Sequence, residues 1–339
     1  MIDQILSNDF VILAIKLSVL LMLLPLTLVL GWVELKAGAH MQARLGPMYA
    51  GGFHGWAQTL ADGIKFVLKE DLIPDQADRP VFKMVPFVIM LSAASIFIVV
   101  PIGPKAVIED LDVGLFYLLA ASSIGVIGIL MAGWSSANKY SLLGALRSAA
   151  QLIAYELPIV LSAATIAMLA GSLSLVDIVE AQKSSMFGLP VPYIFVLPVG
   201  LIAFVVFLIA STAELTRPPF DMPVAEAELI TGAFTEYTGI RFAFSLFASE
   251  YIAMIGLAAV GTTLFLGGYL PPVPALGFVP GPIWFVAKLA TILFILIWIR
   301  WTYPRLREDQ LQKFAWKVLI PLSLANIFLA GAMKLTPLI

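Results

Sequence analysis

Eight stretches of the chain run apolar for about twenty residues at a time: about 10–33, 82–102, 114–134, 146–170, 191–211, 243–266, 282–301 and 316–333. A bilayer core needs roughly 20 apolar residues per helical span, so the pattern predicts eight transmembrane helices. The runs are continuous and do not alternate, which excludes barrel strands. Hydrocarbon leaves a spanning backbone only helices or closed barrels. No sizeable soluble stretch lies between the runs, and the expected fold is an all-α integral membrane protein, one domain over residues 1–339.

The longest connection, Glu34 to Pro80, has a different pattern. In "GWAQTLADGIKFVLKE" (Gly55 to Glu70) the apolar Trp56, Leu60, Ile64, Val67 and Leu68 recur at helical spacing, with Gln58, Asp62, Lys65 and Lys69 elsewhere on the wheel. This predicts an amphipathic helix lying in the membrane interface; the competing reading is a helix packed on a soluble partner. The connections on the other side are short and rich in proline and glycine, as in "GGYLPPVPALGFVPGP" (Gly267 to Pro282), and read as closures without chemistry.

Composition agrees: 60% of residues are hydrophobic and 12% charged, against about 25% charged in soluble domains. Charge placement then predicts orientation. The connections after spans 1, 3, 5 and 7 hold 15 of the 20 Lys and Arg residues, while the opposite side holds Lys105, Lys183 and Lys334, and Lys16 and Lys288 fall inside spans. The positive-inside rule makes the 15-charge side cytoplasmic, or matrix in an organelle, and puts both termini outside. The expected location is a cell inner membrane or an equivalent energy-coupling organelle membrane. Met1 to Asp9 holds two aspartates and no Lys or Arg, so the basic n-region of a signal peptide is missing and the first helix is expected to stay.

The chain has no cysteine and two histidines, His40 and His54. Iron–sulfur clusters need about four Cys ligands and haem usually an axial His. Any redox chemistry this chain serves is therefore expected in partner subunits, and no metal site or nucleic-acid partner is expected.

Four ionisable residues lie where lipid is expected. Glu156 falls about ten residues into the fourth span and Glu250 about nine past Arg241 in the sixth, each roughly 14 Å deep at 1.5 Å per residue. A mid-membrane charge costs about 2.5–3.5 kcal/mol unless paired, protonated or hydrated. A proton path is one reading; a structural clamp with Lys16 or Lys288 is the other. Pro158, two residues after Glu156, frees a nearby helix carbonyl and favours a hydrated site. In "AELTRPPFDMPVAEAEL" (213–229) Glu214 is expected to end the fifth helix, Pro218-Pro219 to stop it, and Asp221 to cap a new helix near Pro223. Glu226 and Glu228 follow, two apart and pointing to different sides. Taken with Glu156 and Glu250, this loop reads as the acidic mouth of a polar track.

The same residues carry a resemblance. "ELTRPPFDMPVAEAELITGAFTEYTG" (Glu214 to Gly239) resembles the fifth-loop signature of the H subunit family of NADH:quinone oxidoreductase (respiratory complex I). "GWSSANKYSLLGALRSAAQLIAYELP" (Gly133 to Pro158) is similar to a second signature. The first loop agrees through Glu34 and Lys36, "MQARLGP" (Met41 to Pro47) and "LADGIKFVLKE" (Leu60 to Glu70). The resemblance covers nearly the whole chain. It implies a subunit beside the quinone chamber, docking the hydrophilic arm and neighbouring the small and antiporter-like membrane subunits. It further implies that Arg44, Asp62, Lys65, Arg217 and Asp221 line or shape the quinone cavity. Glu34, Glu156, Glu214, Glu226, Glu228 and Glu250 would form the acidic chain linking quinone chemistry to proton pumping. Quinone is then a substrate, with flavin and iron–sulfur clusters in partner subunits. The sequence departs from the pattern at Val224, where a glutamate is usual, at Leu35 in "ELK" and at Met48 in "GPM".

Three other readings have distinct signatures. The homologous chain of a membrane-bound hydrogenase or formate hydrogenlyase would co-purify with a flavin-free, hydrogen-oxidising assembly. A stand-alone ion transporter would work as a single chain in liposomes. A passive scaffold would tolerate neutralised Glu156 and Glu250.

Overall fold

The computed structural model describes residues 21–104, 106–184, 191–222, 230–272 and 276–335. Among these the chain is helical, without strands. In chain order the helices are α1 (Leu23–Met41), α2 (Gln58–Leu68), α3 (Arg79–Ser95, continued by a 3-10 turn to Ile98), α4 (Gly114–Ser135), α5 (Lys139–Ala170), α6 (Leu175–Ala181), α7 (Val199–Glu214), α8 (Gly239–Phe265), α9 (Gly281–Thr302) and α10 (Glu308–Lys334). Six of them, α3, α4, α5, α8, α9 and α10, are long and apolar enough to cross a membrane. α7 is a shorter apolar helix of 16 residues. α1 occupies the C-terminal part of the expected first span and runs beyond it; the rest of that span, with Lys16, lies outside the described residues.

Helix ends follow local chemistry. α5 begins at Lys139, earlier than the apolar run alone suggests, because the Asn138 side chain caps it by accepting from the Tyr140 backbone N–H at 2.8 Å. It runs on through Pro158 and ends at Gly171, whose φ of 78° is the left-handed C-terminal stop. There the Lys334 ammonium donates to the carbonyls of Met168 and Leu169 at 2.8 and 3.0 Å, the favourable place for a cation. α7 starts only at Val199, after Pro192 and Pro198 and a 3-10 turn at Tyr193–Phe195. Prolines lack the N–H a continuous helix needs.

α5 and α8 form the centre. In their apolar windows 61% and 62% of residues are buried, against 28% in α4, α9 and α10, whose outward faces are therefore the ones left for lipid. The first, third, fifth and seventh connections gather at one end. Asp78 N–H donates to the Ser135 carbonyl at 3.0 Å, and Leu306 N–H to that of Pro219 at 2.9 Å. Leu72 N–H donates to Thr238 Oγ1 at 2.9 Å, and Arg241 pairs with Asp71 at 3.1 Å. The charge-rich loops assigned to one side by counting are thus neighbours in space. Gly144 is required here: a Cβ would come 2.7 Å from the Gly232 carbonyl carbon, so the loop before α8 lies directly on α5.

α2 forms within the predicted segment, and none of its residues is buried. Its apolar side chains are open, with Leu60, Ile64 and Val67 at 46%, 53% and 65% exposure. An uncovered apolar stripe beside a charged face is what an interfacial helix requires.

The opposite end has its own clasp. Lys288 donates to the carbonyls of Gly268 and Leu270 at 3.0 and 2.6 Å, so it serves loop backbone rather than a glutamate. Tyr269 donates to Glu180 at 2.5 Å, and Lys183 also pairs with Glu180. Burial alone would raise the Glu180 pKa, but the hydrogen bonds from Lys183 and Tyr269, with the Lys183 charge, hold it below the usual carboxylate value. A lowered carboxylate pKa stabilises the fold above its unfolded value, about 4.3, and that contribution is lost as pH falls through the folded value. Thermal unfolding of the wild type and Glu180→Gln should therefore differ at pH 7, and the difference should shrink as pH falls below the unfolded carboxylate value, about 4.3; a difference that stays constant on acidification would contradict the clasp.

Candidate functional site

The segment after α7 creates the site by changing direction abruptly. α7 ends at Glu214, and Thr216 takes a φ of 52°, a left-handed conformation costly for a β-branched residue. This turn sends Glu214 and Arg217 to different places. Buried Gln151 on α5 fixes the turn from beneath, its side-chain amide donating to the carbonyls of Ala213 and Phe220 at 2.7 and 2.6 Å.

On one side, Glu156 of α5, Glu214 of α7 and Glu250 of α8 line a single cavity of about 130 Å³. A water requires only about 10–15 Å³ of such space, together with polar partners. Those partners are present: Ser92, Ser122, Ser123, Ser245 and Ser249 also face the cavity, and the Ser245 hydroxyl is buried without a protein partner. The cavity therefore has the space and the polar partners to hold water at the carboxylates that line it. A π-helical turn, Ala243–Ala248, precedes Glu250 in α8; such turns often mark functional sites.

On the other side, Arg217 lies between two glutamates. Its Nη1 donates to Glu34 at 2.9 Å and its Nε to Glu250 at 2.6 Å, and Glu34 also accepts from Arg300 of α9. Arg217 and Glu34 are each 3% exposed. Burial works against the charge on Arg217, but Glu250 and Glu34 outweigh it and its pKa lies above the usual arginine value. The chain Arg300–Glu34–Arg217–Glu250 thus ties α1, α8 and α9 to the loop after α7. Glu250 belongs to both the ion-pair chain and the cavity.

The six glutamates expected to act together therefore divide. Glu34 and Glu250 are held by guanidinium groups. Glu156 and Glu214 make no ion pair among the described residues and line the same cavity. Glu226 and Glu228, with Val224 and the helix expected near Pro223, lie outside the described residues. Of the expected quinone-cavity residues, Arg217 sits inside the ion-pair chain, and Asp221 is four residues further along the same loop, partly buried. Arg44, bonded to Gln42 at 2.8 Å, and the Asp62–Lys65 pair at 3.5 Å lie on the exposed first loop and α2. Lys36, in the last turns of α1, donates to Met48 Sδ of the first loop at 3.0 Å, a contact that depends on the Met48 departure.

Arg300 and Gln151 are not among the site residues the sequence pointed to. Arg300 counts as one more cytoplasmic charge until Glu34 is found beside it. Gln151 had a usable signal, because an amide inside an apolar helix must find a partner. Among the described residues, no group of three or more His, Cys, Asp or Glu is placed to hold a metal ion.

Together these features define a polytopic, apolar helical protein built round a buried carboxylate–arginine network. Comparison with known proteins supplies the family. The profile of the family described as NADH dehydrogenase matches residues 14–331. A protein named as the H subunit of NADH-quinone oxidoreductase from Bacillus thuringiensis subsp. konkukian (strain 97-27) is 50% identical over 320 residues, 93% of each chain. Proteins of the same name from Bacillus cereus (strain AH187) and Bacillus anthracis (strain CDC 684 / NRRL 3495) are 49% identical over the same share. The chain belongs to the NADH dehydrogenase family.

Proposed function

We propose that this chain is the membrane subunit of a proton-translocating NADH–quinone oxidoreductase that forms part of the quinone chamber and couples quinone reduction to proton movement through buried glutamates. Family membership and the names of its relatives support the first part. The observation that carries the second is the meeting of Glu156, Glu214 and Glu250 in one serine-lined cavity beside the Arg217–Glu34 pair.

The mechanism follows from charge. Reducing a quinone to a quinol takes two electrons and two protons, and electrons arriving before protons leave transient negative charge on the quinone. At the charge-rich end of the chain that negative charge favours protonation of nearby carboxylates. Glu214 and Glu156, which no cation among the described residues fixes, are the groups able to respond. Glu250 adjoins them and Arg217, so a proton shift in the cavity alters the ion-pair chain. Glu226 and Glu228 extend the track in this reading, and Arg44, Asp62, Lys65, Arg217 and Asp221 shape the quinone cavity. The chain crosses the membrane eight times as one domain, with both termini on the outer side of a cell inner membrane. Flavin and iron–sulfur clusters reside in the hydrophilic-arm subunits it docks, and small and antiporter-like membrane subunits flank it.

Extraction of the tagged chain in mild detergent tests this. The expected result is a large assembly with flavin and iron–sulfur absorbance that reduces added quinone with NADH. A lone cofactor-free chain, or a flavin-free assembly that oxidises hydrogen, would overturn it.

A further inference from the structure

We propose that Tyr251 is a positioning residue whose ring face holds the Arg217 guanidinium in the plane that keeps it on Glu250, and whose edge is tied through Gly31 to the first-loop helix α2. The proposal rests on the relay reading of Glu250 and concerns how that carboxylate is held.

The Arg217 guanidinium is a planar fork whose nitrogens point in fixed directions. Nε meets Glu250 and Nη1 meets Glu34, while Nη2 is buried without a partner. Two bonds to carboxylates on different helices do not by themselves prevent the fork from turning to offer Nη2 to one of them. Tyr251 supplies the missing constraint: the guanidinium carbon lies 5.0 Å from its ring centroid, within the roughly 6 Å reach of a cation–π contact.

The consequences of a turn are unequal. Glu34 keeps Arg300 whatever Arg217 does, whereas the ion-pair partner of Glu250 among the described residues is Arg217. Tyr251 therefore controls the pairing of Glu250, its neighbour in the chain, and not that of Glu34.

The other edge of the ring reaches α1. A Cβ on Gly31 would stand 3.7 Å from Tyr251 Cζ and 3.3 Å from Thr59 Cγ2 of α2. Glycine thus lets α2 and the tyrosine approach α1 at one point, a single turn before Glu34. A displacement of α2 has a short packed route, Thr59 to Gly31 to Tyr251 to Arg217, to the carboxylate at the cavity.

The test is a mutant cycle on the purified, reconstituted complex, with the amount of assembled chain checked for each variant. Tyr251→Leu should lower NADH–quinone turnover about 5-fold, within the span of effects that cation–π contacts carry, and Tyr251→Phe should restore it because the ring face remains. In a Glu250→Gln background, Tyr251→Leu should add less than about 2-fold, since residues acting through one interaction are not additive. Tyr251→Met serves if the leucine variant does not assemble. Losses that multiply while Glu250→Gln alone impairs turnover would overturn the positioning role and leave the relay standing. A Glu250→Gln complex with unchanged turnover and pumping would remove both. A Tyr251→Phe variant as impaired as Tyr251→Leu would put the effect on the hydroxyl and overturn the proposal.

Discussion

Replacing Arg217 with methionine should remove most of the assembled protein from the membrane. The substitution keeps an unbranched chain of similar reach and deletes the charge. It leaves Glu250 without its guanidinium partner and Glu34 dependent on Arg300 alone. Breaking a buried ion pair by removing one member costs about 3–5 kcal/mol, because the surviving charge remains desolvated. Folded proteins have only about 5–15 kcal/mol in all. A second change makes the argument specific: Arg217→Met combined with Glu250→Gln removes the orphaned charge and should recover part of the lost assembly. Immunodetection of the chain in the purified complex, with its thermal unfolding, measures both. Wild-type amounts of an Arg217→Met complex would show that the pair is dispensable.

Glu214→Gln should do the opposite, leaving assembly intact while impairing catalysis. The amide is nearly isosteric and breaks no ion pair among the described residues. What it loses is the capacity to gain and release a proton. If the carboxylate cavity is an obligatory step, quinone-dependent NADH oxidation should fall by about 10-fold or more, with about 1.4 kcal/mol added to the barrier for each tenfold. Electron transfer from NADH to an artificial acceptor that bypasses quinone should stay unchanged. Unaltered quinone turnover and pumping would end the relay role of Glu214.

These two variants separate residues that the sequence presents as one acidic group. Apolar runs placed the six helices long and apolar enough to cross a membrane, while the expected fifth span is the shorter α7 and most of the first lies outside the described residues. The amphipathic spacing from Gly55 to Glu70 placed α2 for an equally local reason. The convergence of Glu156 and Glu250 was foreshadowed by their cost in lipid, which only clustering, pairing or water can relieve, and that of Glu214 by its place in the acidic loop that follows the fifth span. Partner choice was not foreshadowed. Lysines inside spans were the expected counter-ions; Lys16 lies outside the described residues, and among these the partners of Glu34 and Glu250 are Arg217 and Arg300, a loop residue and a helix-end residue brought in by tertiary packing. Lys288 is committed to two loop carbonyls, which no spacing rule could indicate. The early start of α5 and the late start of α7 were visible as Asn138, Pro192 and Pro198, but hydropathy counts do not weigh caps or missing donors.

The central claim is that proton exchange in the Glu156–Glu214 cavity is coupled to quinone reduction. Its most direct test records NADH oxidation and proton movement together in liposomes containing the complex, comparing the wild type with the Glu156→Gln/Glu214→Gln double variant. The account predicts that quinone turnover and proton movement collapse together in an assembled complex that still passes electrons to the artificial acceptor. A double variant that reduces quinone at the wild-type rate and moves as many protons per NADH would contradict it.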